Sequence, residues 1–431
     1  MERLLHYVWQ HKLFPLKALQ TTCGEALEVI DAGLRNGNAG PDFFNAKVKI
    51  GTTLWVGNVE LHLHSSDWSR HHHDENANYD NIILHVAEDV DTPLYRADGS
   101  PIPQLELPIP KEITQHYEEL LHEEAFPPCY RIIPSLSKLT VHSWMSALQV
   151  ERLEAKAAQI QKMLDRTACD WENAFFVTLA RSFGFGINGD AFEEWANRIP
   201  PSAVGKHRDD LFQIEAFFLG QAGLLEDEML AASHREEAEK DGYFAKLQKE
   251  YRFLAHKFTL TPMNGRHWNF LRLRPQNFPH IRLVQLAVLY NSCKASFSEI
   301  IECTTLQEAR QKLETSVTPY WESHYSFGSE SQKQPKIIQR SSLHLLIINA
   351  VVPMLFTYGR SRMNEPLCER AFRFLEELPA ENNRYTRIWT DIGLPVNSAA
   401  DSQGLIELRK TYCDRKDCLR CRFGYEYLSN K

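Results

Sequence analysis

"LWVGNVELHLH", Leu54 to His64, is the stretch on which the fold turns. Read as a strand, it sends Trp55, Gly57, Val59, Leu61 and Leu63 to one face and Asn58, Glu60, His62 and His64 to the other. One face is apolar. The other carries a carboxylate followed by two imidazoles, with about 7 Å between neighbours along that face. The bland alternative is an amphipathic strand whose wet face simply holds Glu and His. The SRHHHD run that follows (69–74) reads as a solvated turn, because adjacent histidines point in different directions.

Outward from this strand the periodicity stays near two. FFNAKVKI (43–50) puts Phe44, Ala46, Val48 and Ile50 on one face and Asn45, Lys47 and Lys49 on the other. EALEVIDAGLRN (25–36) and YDNIILHVAE (79–88) read as further strands, and PIPQLELP (101–108) as an edge. ERLLHYVWQHKLF (2–14) places Leu4, Leu5, Val8 and Trp9 at helical spacing. The prolines of EAFPPCYRIIP (124–134) break both periods and mark a junction. Beyond it Val150, Leu153, Ala157, Ile160 and Leu164 recur every three or four residues, one stripe of a long helix that Ser135 or Ser137 can cap. The expected architecture is α+β. A mixed-sheet domain occupies 1–125, and a larger, mainly α-helical domain occupies 135–431 and carries a C-terminal cysteine cluster.

Composition bounds the function. The 431 residues, 43% hydrophobic and 24% charged, suffice for two or three domains with real cores. The first residues hold no uninterrupted apolar run, so no export signal is expected. LHLLIINAVVPMLFTY (343–358) is too short to span a bilayer and contains His344, Asn349 and Pro353; it reads as a buried helix broken near its end. No membrane partner is expected. Nine cysteines without an export signal imply reduced thiols and a cytoplasmic protein. The net charge of −8 is uneven: residues 1–128 hold 20 acidic and nine basic residues, so a polyanion would meet the remainder or a metal ion in the first part.

Asp42 follows Pro41 at the mouth of the 43–50 strand, and seventeen residues separate it from Glu60. A hairpin of that size brings the two carboxylates together as a hard oxygen site for Mg²⁺ or Mn²⁺. Asp42, Glu60 and His64 are its candidate ligands. The arrangement resembles the PD-(D/E)XK nuclease superfamily, whose pattern is a helix with an acid, then Pro-Asp, then a strand with Asp/Glu-x-Lys. Pro41-Asp42 and Glu60-Leu61-His62 match it, with Glu2 or Glu25 as the extra acid. The resemblance implies a metal-dependent nuclease in which Asp42 and Glu60 hold the metal. His62 stands where that superfamily has lysine, orienting or deprotonating water. Lys47 or Lys49 would supply the missing positive charge. The superfamily's substantial helix after the Glu-x-Lys strand has only about sixteen residues here in which to form.

Over nearly its full length the chain also resembles a bacterial domain-of-unknown-function family, through GPDF, GNVELHLHSSDW, LRLRPQNFP and the cysteine-rich tail. A different reading casts Gly57, His62, His64 and His85 as a cupin-type metal site for a small molecule, favouring Zn²⁺, Fe²⁺, Ni²⁺ or Mn²⁺. A third reading is a non-catalytic interaction protein whose metal is structural.

Cys413, Cys418 and Cys421 are close enough in sequence to chelate one soft metal, structural zinc ahead of an iron–sulfur cluster, with the fourth ligand from elsewhere. Between Lys246 and Arg282 eight basic residues are interleaved with aromatics and a single Glu, which suits nucleic-acid contact; the alternative is amphipathic helices with aromatic cores. Arg272, Arg274 and Asn277 in the stiff LRLRPQNFP loop, with Lys47 in the first part, are the candidate contacts.

Overall fold

Seven strands form one mixed sheet: β1 (Leu19–Gln20), β2 (Ala26–Asp31), β3 (Leu34–Arg35), β4 (Phe43–Ile50), β5 (Thr53–His64), β6 (Ile82–Asp89) and β7 (Gln104–Glu106). The structure is a computed structural model and describes residues 1–96 and 98–429. The strand order is β1-β2-β4-β5-β6-β7, with β3 on β4. Pairing is antiparallel as far as β5 and parallel from β5 through β6 to β7. The β4–β5 hairpin closes through Gly51 at φ 58°, the left-handed conformation a tight hairpin demands. The Thr22 amide donates to the Gln104 carbonyl at 2.9 Å, so the two ends of the sheet approach each other.

Helix α1 (Glu2–Gln10) buries Leu4, Leu5, Val8 and Trp9 completely, as their spacing requires. The Trp9 indole N–H, which must find a partner once buried, donates to the Ala32 carbonyl at 3.0 Å. On β5, Val59, Leu61, Glu60 and His62 are all buried, so both faces are covered there. Cover ends at the hairpin: Leu54, Trp55 and Val56 are exposed, because β6 pairs β5 only from Asn58 onward. A Cβ at Gly57 would lie 2.4 Å from Ile83 Cγ2, so any larger residue there would force the Ile83 side chain to shift.

One alternation differs from expectation. Phe44 was placed inside, yet Phe43 is fully buried and Phe44 half-buried. The β4–β5 register slips between Phe43 and Ala46, where Asn45 adopts φ 54°. That β-bulge adds a residue and reverses the facing of everything before it. It also sets the direction in which the start of β4, and so Asp42, is presented.

The chain divides into two units. The first comprises 1–144, 388–394 and the C-terminal segment from Leu408; the second comprises Met145–Arg387 and Pro395–Glu407 and is helical throughout. The prolines of 124–134 therefore lie inside the first unit, and the C-terminal thiols belong to it, not to the helical part. Polar and aromatic contacts tie the returning segment down. Tyr427 Oη donates to Glu119 at 2.8 Å, Arg3 pairs with Asp417 at 3.1 Å, and the rings of His11 and Tyr425 sit 5.1 Å apart.

In the long helix Lys138–Arg166, Leu153, Ala157, Ile160 and Leu164 are buried while Val150 is 39% exposed at the stripe's margin. Ser137, not Ser135, caps it, accepting from the Thr140 amide at 3.0 Å. Helix Arg340–Ser361 is long and apolar enough to cross a membrane by composition, but its apolar window is 72% buried within the fold. Pro353 does not break it. A π-helical turn over Ile347–Val351 widens the helix just before the proline and accommodates the missing N–H.

Candidate metal centre

Asp42 and Glu60 interlock across β4 and β5. The Asp42 amide donates to Glu60 Oε2 at 3.0 Å, and Asp42 Oδ2 accepts the Leu61 amide at 3.0 Å. Each carboxylate thus grips the backbone of the opposite strand, Glu60 at Asp42 itself and Asp42 at the residue after Glu60. Around them the chain gathers imidazoles. His62 projects from β5, and His85 from β6 is the register partner of Glu60. His62 Nδ1 meets His85 Nε2 at 2.9 Å, which orients the ring and leaves Nε2 facing His71 Nδ1 (3.2 Å) and Glu60 Oε1 (3.8 Å). His73 Nε2 lies 3.2 Å from Glu60 Oε1. His62, His71 and His73 each offer a ring nitrogen within 4.8 Å of the others. From α1, His6 Nε2 lies 3.3 Å from Asp42 Oδ2.

The cover over this face comes from α2 (Asp67–Arg70) and the short turns after it. His72 has φ 59° and is exposed, and the chain kinks there between His71, which is exposed but turns its Nδ1 to His62, and the half-buried His73. Trp68 and Tyr79 wall the site; Tyr79 stacks on His73 with ring centroids 3.9 Å apart.

Burial dominates the electrostatics. It pushes the His62 imidazole down to about 3, aided by His85, His73 and His71. His85 falls to about 3 for the same reason, burial first and His73 next. Both rings are neutral near pH 7, the state in which imidazole ligates a metal. Burial pushes the Asp42 carboxyl up, but the neighbouring His6, the Leu61 amide and His62 outweigh it and hold Asp42 below the ordinary range. Glu60 stands above that range through burial and the charge of Asp42, with His73 opposing. The Tyr79 hydroxyl is pushed up to about 12 by burial and then by the two carboxylates. Two carboxylates and the ring nitrogens of His62, His71 and His73, gathered within reach of one another, fit a divalent cation. The His85 Nδ1 atom, buried without a partner, marks the outer edge of the same cluster.

Asp42, Glu60 and His62 therefore come together. His64 does not: its side chain is 53% exposed and lies 3.4 Å from Asp89 at the end of β5. Lys47 and Lys49 sit on the exposed face of β4, alternating with buried Ala46 and Val48. Glu25 is exposed beside the Gly51 turn, whereas Glu2 reaches to 3.9 Å from His6. The sequence reading missed His6 and treated His71 and His73 as solvated. The signal available for the latter pair was Trp68 close before them, an aromatic in a stretch otherwise read as surface.

Cys129, which the sequence reading did not single out, lies near enough to Cys413, Cys418 and Cys421 to interact with them electrostatically, whereas among the described residues the ligand atoms that converge within 4.8 Å are those of His62, His71 and His73. Burial pushes all four thiols up, and for Cys129 and Cys413 the neighbouring cysteine sulfurs come next. The Phe423 and Gly424 amides are directed at the Cys421 sulfur. A Cβ on Gly424 would lie 2.1 Å from the Cys418 carbonyl, so the turn admits only glycine.

In the second unit Arg272 and Arg274 are exposed, while Asn277 is half-buried and accepts from Arg282 at 2.6 Å. Tyr251 and Trp268 of the basic stretch are core residues. Tyr251 Oη donates to Gln221 at 3.0 Å and the Trp268 indole to the Ala222 carbonyl at 2.8 Å. They are buried away from any strand that would stack on them.

Residues 2–384 match the family described as protein of unknown function DUF2851, and the chain belongs to that family. The match ends before the C-terminal thiols. No curated protein and no solved structure matches the chain. The comparisons do not confirm the resemblance to PD-(D/E)XK nucleases.

Proposed function

We propose that this protein is a divalent-metal-dependent phosphodiesterase acting on nucleic acid, with its reaction centre at Asp42 and Glu60. The observation that carries the reading is the cross-strand interlock of these two carboxylates, Glu60 accepting the Asp42 amide and Asp42 accepting the Leu61 amide, each at 3.0 Å, with imidazoles around them. The chain order supports it: helix, Pro-Asp at a strand mouth, Glu-x-His on the next strand, a short helix, then a parallel strand.

Asp42, Glu60, His71 and His73 would hold Mg²⁺ or Mn²⁺, and the share of imidazole favours Mn²⁺. The ion would polarise a phosphoryl oxygen and lower the pKa of a bound water. His62, neutral and fixed by His85, suits a ligand or hydrogen-bond role better than that of a base, because a pKa of about 3 leaves it little affinity for a proton. Tyr79 stays protonated and its ring holds His73 in orientation. The four thiols would bind structural zinc, or less favourably an iron–sulfur cluster, within the same unit. Nine free cysteines accord with a reducing cytoplasm. Arg272 and Arg274 would meet a phosphate backbone.

The test is cleavage of single- and double-stranded DNA and RNA with Mn²⁺ or Mg²⁺. Activity lost in Asp42→Ala and Glu60→Ala, with circular dichroism unchanged, supports the reading; activity that persists in both refutes it. A second reading, a histidine-ligated metalloenzyme for a small molecule, draws on the approach of His62, His71 and His73. It requires a bound transition metal that survives Asp42→Ala.

A further inference from the structure

The second unit contains a cavity of about 420 Å³ whose lining includes Arg272, Arg274 and Arg282. Among the described residues that line it, none is Asp or Glu. Arg282 is the unusual member. It is 5% exposed, and among the described residues no carboxylate pairs with it. Its guanidinium is aimed by neutral groups alone: Nη1 donates to Gln285 at 2.8 Å and Nη2 to Asn277 at 2.6 Å, and the ion lies 4.5 Å over the Phe185 ring. Nε is buried with no partner. Burial pushes Arg282 down only to about 10, so it is charged at neutral pH. A buried guanidinium without a counter-charge is costly, and a bound anion removes the cost.

The cavity wall is built to hold this arrangement. Asn188, 4% exposed, clamps the loop through both amide atoms, to the Asn269 amide (2.8 Å) and carbonyl (2.9 Å). Arg272 is held at φ 63°, a strained conformation for arginine. Ser341 and Ser342, in the uncapped first turn of the 22-residue helix Arg340–Ser361, add donors and the positive end of its dipole. Half-buried Phe185, backed by the buried Phe183 and Phe192, gives the same cavity an aromatic wall.

We propose that this cavity binds a phosphomonoester carried on a flat ring, a mononucleotide unit, with Arg282 as the buried anchor and Arg272 and Arg274 closing on the phosphate from the rim. The cavity is lined by residues of the second unit alone, and none of the metal-centre residues lines it. The source is a free nucleotide or the phosphorylated end of a strand.

The test is calorimetric titration of the full chain, after chelation of metals, with inorganic phosphate, adenosine and guanosine 5′-monophosphates, and a short oligonucleotide with either a 5′-phosphate or a 5′-hydroxyl. The expected result is binding of the nucleotides and of the 5′-phosphorylated strand, with phosphate weaker. The double variant Arg272→Gln/Arg274→Gln, exposed and fold-neutral, weakens binding at least tenfold, and Arg282→Met abolishes it. A nucleotide as tight as the phosphorylated strand assigns the free ligand; a tighter strand assigns the strand end. No nucleotide binding at millimolar concentration, equal binding of the two oligonucleotides, or an unchanged affinity in the rim variant would overturn the proposal. If Arg282→Met fails to fold, the rim variant alone decides.

Discussion

Replacing Glu60 by glutamine separates metal binding from folding. Glu60 is 4% exposed, its Oε2 accepts the Asp42 amide at 3.0 Å, and its Oε1 faces His73 at 3.2 Å. Glutamine keeps the shape and the acceptor for Asp42, and turns an NH₂ group toward His73. The sheet contact survives and the charge is lost. Burial, then Asp42, raises the Glu60 carboxyl in the fold. A raised carboxyl favours folding below its unfolded pKa and loses that advantage as pH rises through the folded value. At pH 7 without metal the wild type therefore carries a penalty that glutamine lacks, and the variant unfolds at the same temperature or higher. With metal the order reverses. Losing an anionic ligand costs about a hundredfold in affinity, the upper end for a perturbed site. At a Mn²⁺ concentration about 100 times the wild-type Kd, linkage stabilises the wild type by about 2.7 kcal/mol and the variant by about 0.4 kcal/mol. For a unit of this size that is about 5–10 °C against about 1 °C. Differential scanning calorimetry of chelated protein, with and without Mn²⁺, reads both arms. Equal Mn²⁺ shifts in the two proteins, or a variant that melts far below wild type without metal, would refute the reasoning.

Other consequences follow from the same contacts. His73→Ala lowers Mn²⁺ affinity at least tenfold by isothermal titration, whereas His64→Ala, at an exposed side chain paired only with Asp89, leaves it unchanged. Cys129→Ser lowers the zinc or iron retained per purified chain and destabilises the first unit; unchanged metal content would contradict a four-thiol site. His280 is 6% exposed in the second unit, and burial pushes its imidazole down to about 3. The depressed value favours the neutral ring in the fold, so its contribution is absent above pH 6.5 and becomes destabilising as pH falls toward 3, by about 2 kcal/mol at pH 5. His280→Leu should flatten the acid limb of a stability–pH curve, and an identical limb would refute this. Gly220→Ala puts a Cβ 2.1 Å from the Tyr251 ring and should cost about 1–3 kcal/mol in chemical denaturation.

The strand bearing Glu60 and His62 was legible because period-two alternation is a local property, and so was its nearness to Asp42, because a hairpin fixes which residues meet. Long-range packing was not legible. His6 reaches Asp42 only because α1 packs on the sheet, which its own apolar stripe does not specify. His73 turns inward, and the exposed His71 brings a ring nitrogen to His62, around a left-handed residue at His72, and such kinks leave no periodic trace. The bulge at Asn45 inverted Phe43 and Phe44 for the same reason. His64 shares a face with His62, but the cover stops short of it, and alternation carries no information on where cover ends. Cys129 meets the C-terminal thiols because the chain returns to its first unit, a matter of topology and not of spacing.

Electron paramagnetic resonance of one equivalent of Mn²⁺ added to the chelated full chain tests the metal centre most directly. Binding is expected to be stoichiometric, with ¹⁴N couplings from coordinated imidazole that diminish in His71→Ala and His73→Ala, and to be lost in Asp42→Ala/Glu60→Ala. Folded protein that leaves Mn²⁺ free in solution, or binds it with no nitrogen coupling, would contradict it.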